Sequence, residues 1–219
     1  MTWLSLNWPQ VLDLLLAHLA LSIPAILLSA VIAIPLGRFA NTRPRAGGAV
    51  LGVATLLYAV PSLPLLIVIP VILGVALRSA STMVIALTVY GVALFVRTSA
   101  DAFGSVDQGT RDTATAIGYA PRAVFWHVDL PLAAPLLIAG LRVVSVSTIG
   151  LVTIGALIGV KNLGTLMTDG FQRGIAGEVA VGVIATVFLA LIIDALLLLA
   201  GRSLAPWARQ ARAGRAVSA

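Results

Sequence analysis

Cysteine is absent from all 219 residues, which excludes a disulfide framework and a thiolate metal site. Charge is scarce too: Asp, Glu, Lys and Arg together make 10% of the chain, against about 25% in an ordinary soluble domain. A soluble fold of this length keeps roughly a third of its unfolded-chain surface in water and must cover it with polar groups. Water is therefore not the main solvent of this chain, and a hydrophobic share of 60% agrees. Two motifs are missing as well. No Gly-x-x-x-x-Gly-Lys-Ser/Thr loop occurs, so the chain lacks the backbone cradle that ATP hydrolysis needs and is not expected to be an enzyme. No internal repeat of the kind that builds secondary transporters is visible, so a complete pathway is expected to need more than one chain.

The net charge of +6 would suggest nucleic acid in a soluble protein. Here the basic residues lie mostly between and after long apolar runs, a pattern that sets membrane orientation, and no nucleic-acid partner is expected. A span needs about 20 apolar residues to cross about 30 Å of hydrocarbon. Five regions meet that need: 14–37, 48–77, 81–103, 132–159 and 179–200. The first lacks the basic flank of a secretory signal and is longer than a signal core of roughly 7 to 15 residues, so it reads as a retained span.

Val60-Pro61-Ser62-Leu63-Pro64 interrupts the second region and raises the question of two short helices. Charge answers it. Arg38, Arg43 and Arg45 mark the first loop as cytoplasmic, and Arg97, Arg111 and Arg122 mark the segment around 104–130 likewise. An even number of crossings must separate them, so 48–77 counts as one broken span. The result is an all-α bundle of five spans with the N-terminus outside and the C-terminus in the cytoplasm. Arg202, Arg209, Arg212 and Arg215 after the last span agree, whereas the outer loops hold only Arg78, Lys161 and Arg173.

Residues 104–131 are too polar to span. They read as two short helices, one from about Asp107 to Ile117 stopped by Gly118 in a left-handed cap, the other opened by Pro121 and ended by Pro131. Ala114 and Ala116 beside Thr113 and Thr115 would let another surface approach the first helix closely, and Val124, Phe125 and Trp126 neighbour it. From these residues alone two readings stand: docking into a groove of a partner protein, or lying on the lipid headgroups.

Asp112-Thr113-Ala114 followed by Gly118, then Asp129-Leu130-Pro131, resembles the Glu-Ala-Ala loop of bacterial binding-protein-dependent ABC importer permeases. Asp112 and Thr113 stand where that pattern has Glu and Ala. His18-Leu19, Ile34-Pro35-Leu36-Gly37, Pro61-Ser62-Leu63, and Leu157-Ile158-Gly159 through Leu163-Gly164 look like the glycine betaine, carnitine and choline branch, although Lys161 and Asn162 replace its usual glycines. The resemblance implies a MetI-like core forming a single transmembrane permease domain over residues 1–219 of a bacterial cytoplasmic membrane. It implies import of an osmoprotectant, with the loop 104–131 coupling to cytoplasmic ABC ATPase subunits through Asp112, Thr113, Ala114, Gly118, Asp129 and Pro131. The other implied partners are a second permease copy or paralogue and an extracytoplasmic solute-binding protein. No cofactor is implied. A permease for another small solute, such as an amino acid or sulfonate, and a non-transporting membrane scaffold remain the alternatives.

Within the spans, the Val60–Pro64 break leaves carbonyls unpaired at membrane depth, which suits either a translocation-path lining or an ordinary proline kink. Pro61, Ser62 and Pro64 are the path candidates, joined by Tyr58 and Tyr90, the aromatics best placed to meet a quaternary ammonium through cation–π attraction. Asp194 in the last span is either functional or within reach of the cytoplasmic interface. Arg142 and Arg97 are read as orientation or helix-pairing residues. His18, near the outer end of its span and without a second ligand, reads as a hydrogen-bonded interface residue rather than a metal ligand.

Overall fold

The computed structural model describes residues 2–204, which form helices with no strand among them. The order is α1 (Thr2–Thr42), α2 (Pro44–Ala59), α3 (Ser62–Leu73), α4 (Ala80–Gly104), α5 (Gln108–Ala116), α6 (Pro121–Val124), α7 (Leu130–Val152), α8 (Gly164–Gln172) and α9 (Ala176–Leu204). A π-turn, Phe125–Asp129, joins α6 to α7, and a 3-10 turn, Thr153–Ile158, prolongs α7. Helix α1 is longer than the expected 14–37 and carries a non-helical residue, Asn7. The basic tail at Arg209, Arg212 and Arg215 lies outside the described residues.

Four helical stretches are long and apolar enough to cross a membrane, and α2 with α3 makes a fifth, bent by 112°. Helix directions decide how that bent pair is used. Ser29 of α1 packs on Gly91, Gly37 on Ser99, and Asn41 lies beside Gly104, so α1 and α4 run parallel. The chain leaves α1 at one end and must enter α4 at the other, and α2–α3 carries it back. The pair is therefore one broken span rather than a re-entrant loop. Helix α7 is antiparallel to α4, with Gly140 against Phe95 and Gly155 against Met83. Helix α9 is antiparallel to α7, with Gly201 against Ile138 and Asp194 paired to Arg142.

Lipid tails are as apolar as leucine, so close approach rather than water exclusion holds spans together. The α1–α4 seam shows how. A Cβ on Gly37 would overlap Ser99 and the Ala100 backbone, and one on Gly91 would overlap Ser29. Ser29 Oγ also reaches Thr88 O, 3.3 Å away on α4. Phe95, Phe103, Val96 and Met83 are all 1% exposed or less, making α4 the central span. Helix α9, by contrast, leaves Val183, Ile184, Val187, Phe188, Leu191 and Leu196 exposed, the face of a helix that has lipid or another protein as its neighbour.

Candidate functional site

The segment between α4 and α7 sits at the bundle end that also holds the C-terminal end of α1. Asp107 opens α5, its Oδ2 accepting the Thr110 N–H at 2.9 Å. Gly118 closes it at φ +95°, with its own N–H on Thr115 O (3.0 Å) and the Tyr119 N–H on Ala114 O (3.1 Å). That is a Schellman cap, which any residue with a Cβ would strain. The expected helix over 107–117 and its glycine stop are thus where the residues placed them.

The expectation for Pro131 is corrected. The second helix does not end there: α6, the π-turn and α7 run on through it. A proline inside a helix clashes with the carbonyl four residues back and offers no N–H. The π-turn removes the conflict by widening the turn just before it, and the Leu130 N–H bonds Phe125 O, five residues back.

Ala114 also takes a different place from the one its size suggests. It is 7% exposed and forms the floor of a half-polar groove between α5 and the π-turn. Thr113, Ile117, Tyr119 and His127 line that groove, whose volume is about 530 Å³. The outward face of α5 is Asp112, Thr113, Ala116 and Ile117, the last 71% exposed. Trp126 is 62% exposed beside it. Asp112 is exposed and, among the described residues, accepts from Gln108 Nε2 at 2.9 Å.

Asp129 is the buried member of the motif, 4% exposed. Its Oδ1 accepts from Arg111 Nε at 2.7 Å and its Oδ2 faces Arg38 Nη2 at 3.0 Å. Arg38 in turn stands 4.1 Å over the Phe125 ring. Sequence reasoning found Asp129 through its motif and read both arginines only as orientation signals. Nothing in linear spacing links residues 38, 111 and 129.

Of the path candidates, Tyr58 and Tyr90 come together, with ring centroids 5.1 Å apart and planes tilted by 39°. Ser62 and Tyr90 share a narrow cleft with Leu66, Leu87 and Leu151 between α3, α4 and α7. Pro61 supplies the N-cap of α3 in an extended conformation, φ −58° and ψ 138°, and both it and Pro64 are exposed.

Packing also places the polar residues of the spans and their connections. Asp194 does not simply reach toward the interface: Arg142 Nε and Nη2 clasp its two oxygens at 2.7 and 2.6 Å, which supports the helix-pairing reading of Arg142. Arg97 remains exposed on α4. His18 is no interface residue. It is fully buried, and its Nε2 donates to Ile149 O at 3.1 Å. That carbonyl is open because the Thr153 N–H bonds Gly150, three residues back, as α7 tightens into the 3-10 turn. Asn162, also fully buried, holds the α7–α8 connection by accepting the Gly164 N–H at 2.6 Å and donating to Val160 O at 2.8 Å.

Comparison with known proteins follows the same geometry. Residues 33–210 match the family model described as binding-protein-dependent transport system inner membrane component. The glycine betaine/carnitine/choline transport system permease protein OpuCD of Bacillus subtilis is 30% identical over 94% of this chain and 89% of its own length. The choline transport system permease protein OpuBB of the same organism is 28% identical over 93% of each chain. The osmoprotectant import permease protein OsmW of Salmonella typhimurium is 31% identical over 82% of this chain and 85% of its own. Among solved structures, a chain of the MetNI methionine ABC transporter in an inward-facing conformation superposes with a TM-score of 0.72 at 22% identity. It covers 89% of this chain and 94% of that one.

Proposed function

The chain belongs to the family of binding-protein-dependent transport system inner membrane components, and from that premise we propose that it is the permease subunit that carries an osmoprotectant such as glycine betaine, carnitine or choline across a bacterial cytoplasmic membrane. The observation that carries the coupling part of this reading is the corner at α5: a short capped helix, outward-facing at Thr113, Ala116 and Ile117, beside an open groove at the end of three spans. Such a helix suits a cytoplasmic ABC ATPase subunit, which supplies the hydrolysis this chain has no loop to perform. Asp112, Thr113, Ala114, Gly118, Asp129 and Pro131 then form the coupling segment of one permease domain. An extracytoplasmic binding protein delivers the solute, and a second permease copy or paralogue completes the pathway. Tyr58, Pro61, Ser62, Pro64 and Tyr90 are assigned to its lining, where the paired rings would offer faces to a quaternary ammonium.

Uptake of labelled betaine, carnitine, choline and proline by cells producing the whole system tests the solute. Accumulation of a quaternary ammonium compound is expected, and uptake of none of these would defeat the assignment. Ile117→Asp tests the docking. It lies outside the spans and keeps the cap, so the chain should insert normally while uptake and co-purification of the ATPase both fall several-fold. A loop that merely lies on headgroups would keep both.

Orientation follows from charge: the end bearing Arg38, Arg43, Arg45, Arg111 and Arg122 is cytoplasmic, leaving the N-terminus outside. Since the chain has no cysteine, single cysteines at positions 43 and 161 report this directly. An impermeant reagent applied from outside should label the second and spare the first.

A further inference from the structure

Four helices converge on one carboxylate at the coupling corner. Asp129 takes Arg111 of α5 on one oxygen and Arg38 of α1 on the other, and its side chain is only 5% exposed. Arg111 goes further, its Nη2 donating to Phe103 O at 2.6 Å near the C-terminal end of α4. Phe125 lies under Arg38 and 6.2 Å from the Phe103 ring, so the aromatic pair backs the charges. Asp129 itself belongs to the turn from which α7 starts.

Helix α5 has little else to hold it. Ala114 is its single buried residue, and a lone methyl fixes neither the angle nor the register of a nine-residue helix. Its covalent links are short turns: Ser105 to Asp107 on one side, Ile117 to Ala120 on the other. Among the described residues nothing lies within 4 Å of where a Gly118 side chain would stand. A force applied to α5 would be absorbed by those turns unless something stiffer joined the helix to the spans. Forked, charge-assisted hydrogen bonds are directional and supply that stiffness. The carboxylate is also what lets two guanidinium groups share the corner. Without it Arg38 and Arg111 repel, and α5 carries one of them.

We propose that Asp129 is a positioning residue that joins the docking helix α5 to α1, α4 and α7, so that motion of the ATPase reaches the spans through the Arg111–Asp129–Arg38 cluster. This rests on α5 being the docking helix and makes Asp129 an internal joint, with no contact to the ATPase. The cluster is a coupling element distinct from the face that α5 presents outward.

The test uses the assembled permease–ATPase complex with two variants. Asp129→Asn removes the charge at nearly constant volume. Arg111→Gln acts from the cytoplasmic side of the joint, outside every span, so membrane insertion is not at stake. Either is expected to lower uptake at least tenfold while the ATPase still co-purifies. Arg111→Lys, which keeps the charge and loses the fork, should recover part of the uptake. Spin labels on cysteines placed at Thr115 and Arg43 give a readout besides transport: their pulsed-EPR distance distribution should be narrow in the parent and broad in Asp129→Asn and Arg111→Gln. A narrow distribution with uptake within twofold of the parent in Arg111→Gln overturns the joint, whatever Asp129→Asn does. Ile117→Asp separates the two ideas. If it leaves the ATPase bound while Arg111→Gln broadens the distances, the docking reading fails and the transmission of ATPase motion fails with it, while Asp129 keeps only its positioning of α5. If it releases the ATPase while Arg111→Gln behaves as the parent, the joint fails and the docking reading stands.

Discussion

The α1–α4 seam and the α5 corner are held by opposite means. In the seam, glycine and serine let two backbones come together at Gly37–Ser99 and Ser29–Gly91, and a hydrogen bond that crosses it, Ser29 to Thr88, is of a kind worth only about 0.6 kcal/mol on average in a membrane. At the corner, close packing is thin and charge does the holding, through a carboxylate between two guanidinium groups. The difference follows the solvent. Hydrocarbon gives no reward for burying apolar surface, so spans need contact density. At the membrane edge, water tolerates charge but would loosen a helix with one buried methyl. The seam is therefore sensitive to volume and the corner to charge.

The strongest way to break this contrast is to add volume in the seam. Gly37→Val forces α1 away from Ser99 and Ala100 and should cost on the order of 3 kcal/mol by overpacking. A lower midpoint of thermal unfolding in detergent is the expected readout. Gly48→Ala sharpens the same point: among the described residues nothing lies within 4 Å of the added methyl, so a gain of up to about 1 kcal/mol is expected from the helix propensity alone.

The Arg142–Asp194 clasp crosses the two categories, because it is a charge device inside a span. Removing either partner strands the other in an apolar groove between α7 and α9. Arg142→Ala and Asp194→Ala should each lower the yield of folded permease several-fold, and the double variant should recover much of it. A double variant as poor as the sum of its singles would show that the two side chains act independently.

A smaller effect is expected at the corner itself. Gly118→Val puts a β-branched side chain at φ +95°, costing about 1 kcal/mol or more locally. Hydrogen exchange over Gln108–Ala116 should quicken about fivefold, the factor that such a loss corresponds to, while global stability barely moves because the helix is peripheral.

Much of this molecule was legible in its residues. The five spans, the break at Pro61 and the left-handed stop at Gly118 are local consequences of hydropathy, proline and glycine, and each is where chain chemistry puts it. The reading failed where the cause lay elsewhere in the chain. Pro131 looked like a helix end because the π-turn that accommodates it is not a propensity signal. Ala114 lies buried at the floor of the α5 groove, and smallness by itself says nothing about which side of a helix faces the body. His18 was placed at an interface, whereas the carbonyl that holds it inside, Ile149, lies 131 residues away.

Composition, the order of apolar runs and the placement of the arginines determined by themselves that this chain lives in a bilayer, how many times it crosses, and where its polar segment lies. Hydrocarbon imposes those answers on any chain that must satisfy its own backbone hydrogen bonds. Only the tertiary structure decided that α1 and α4 run side by side in the same direction, that Arg142 serves Asp194, and that Arg38 and Arg111 meet at Asp129. Each of these is a pairing between residues far apart in sequence, set by how rigid helices pack, and hydropathy carries no information about partners.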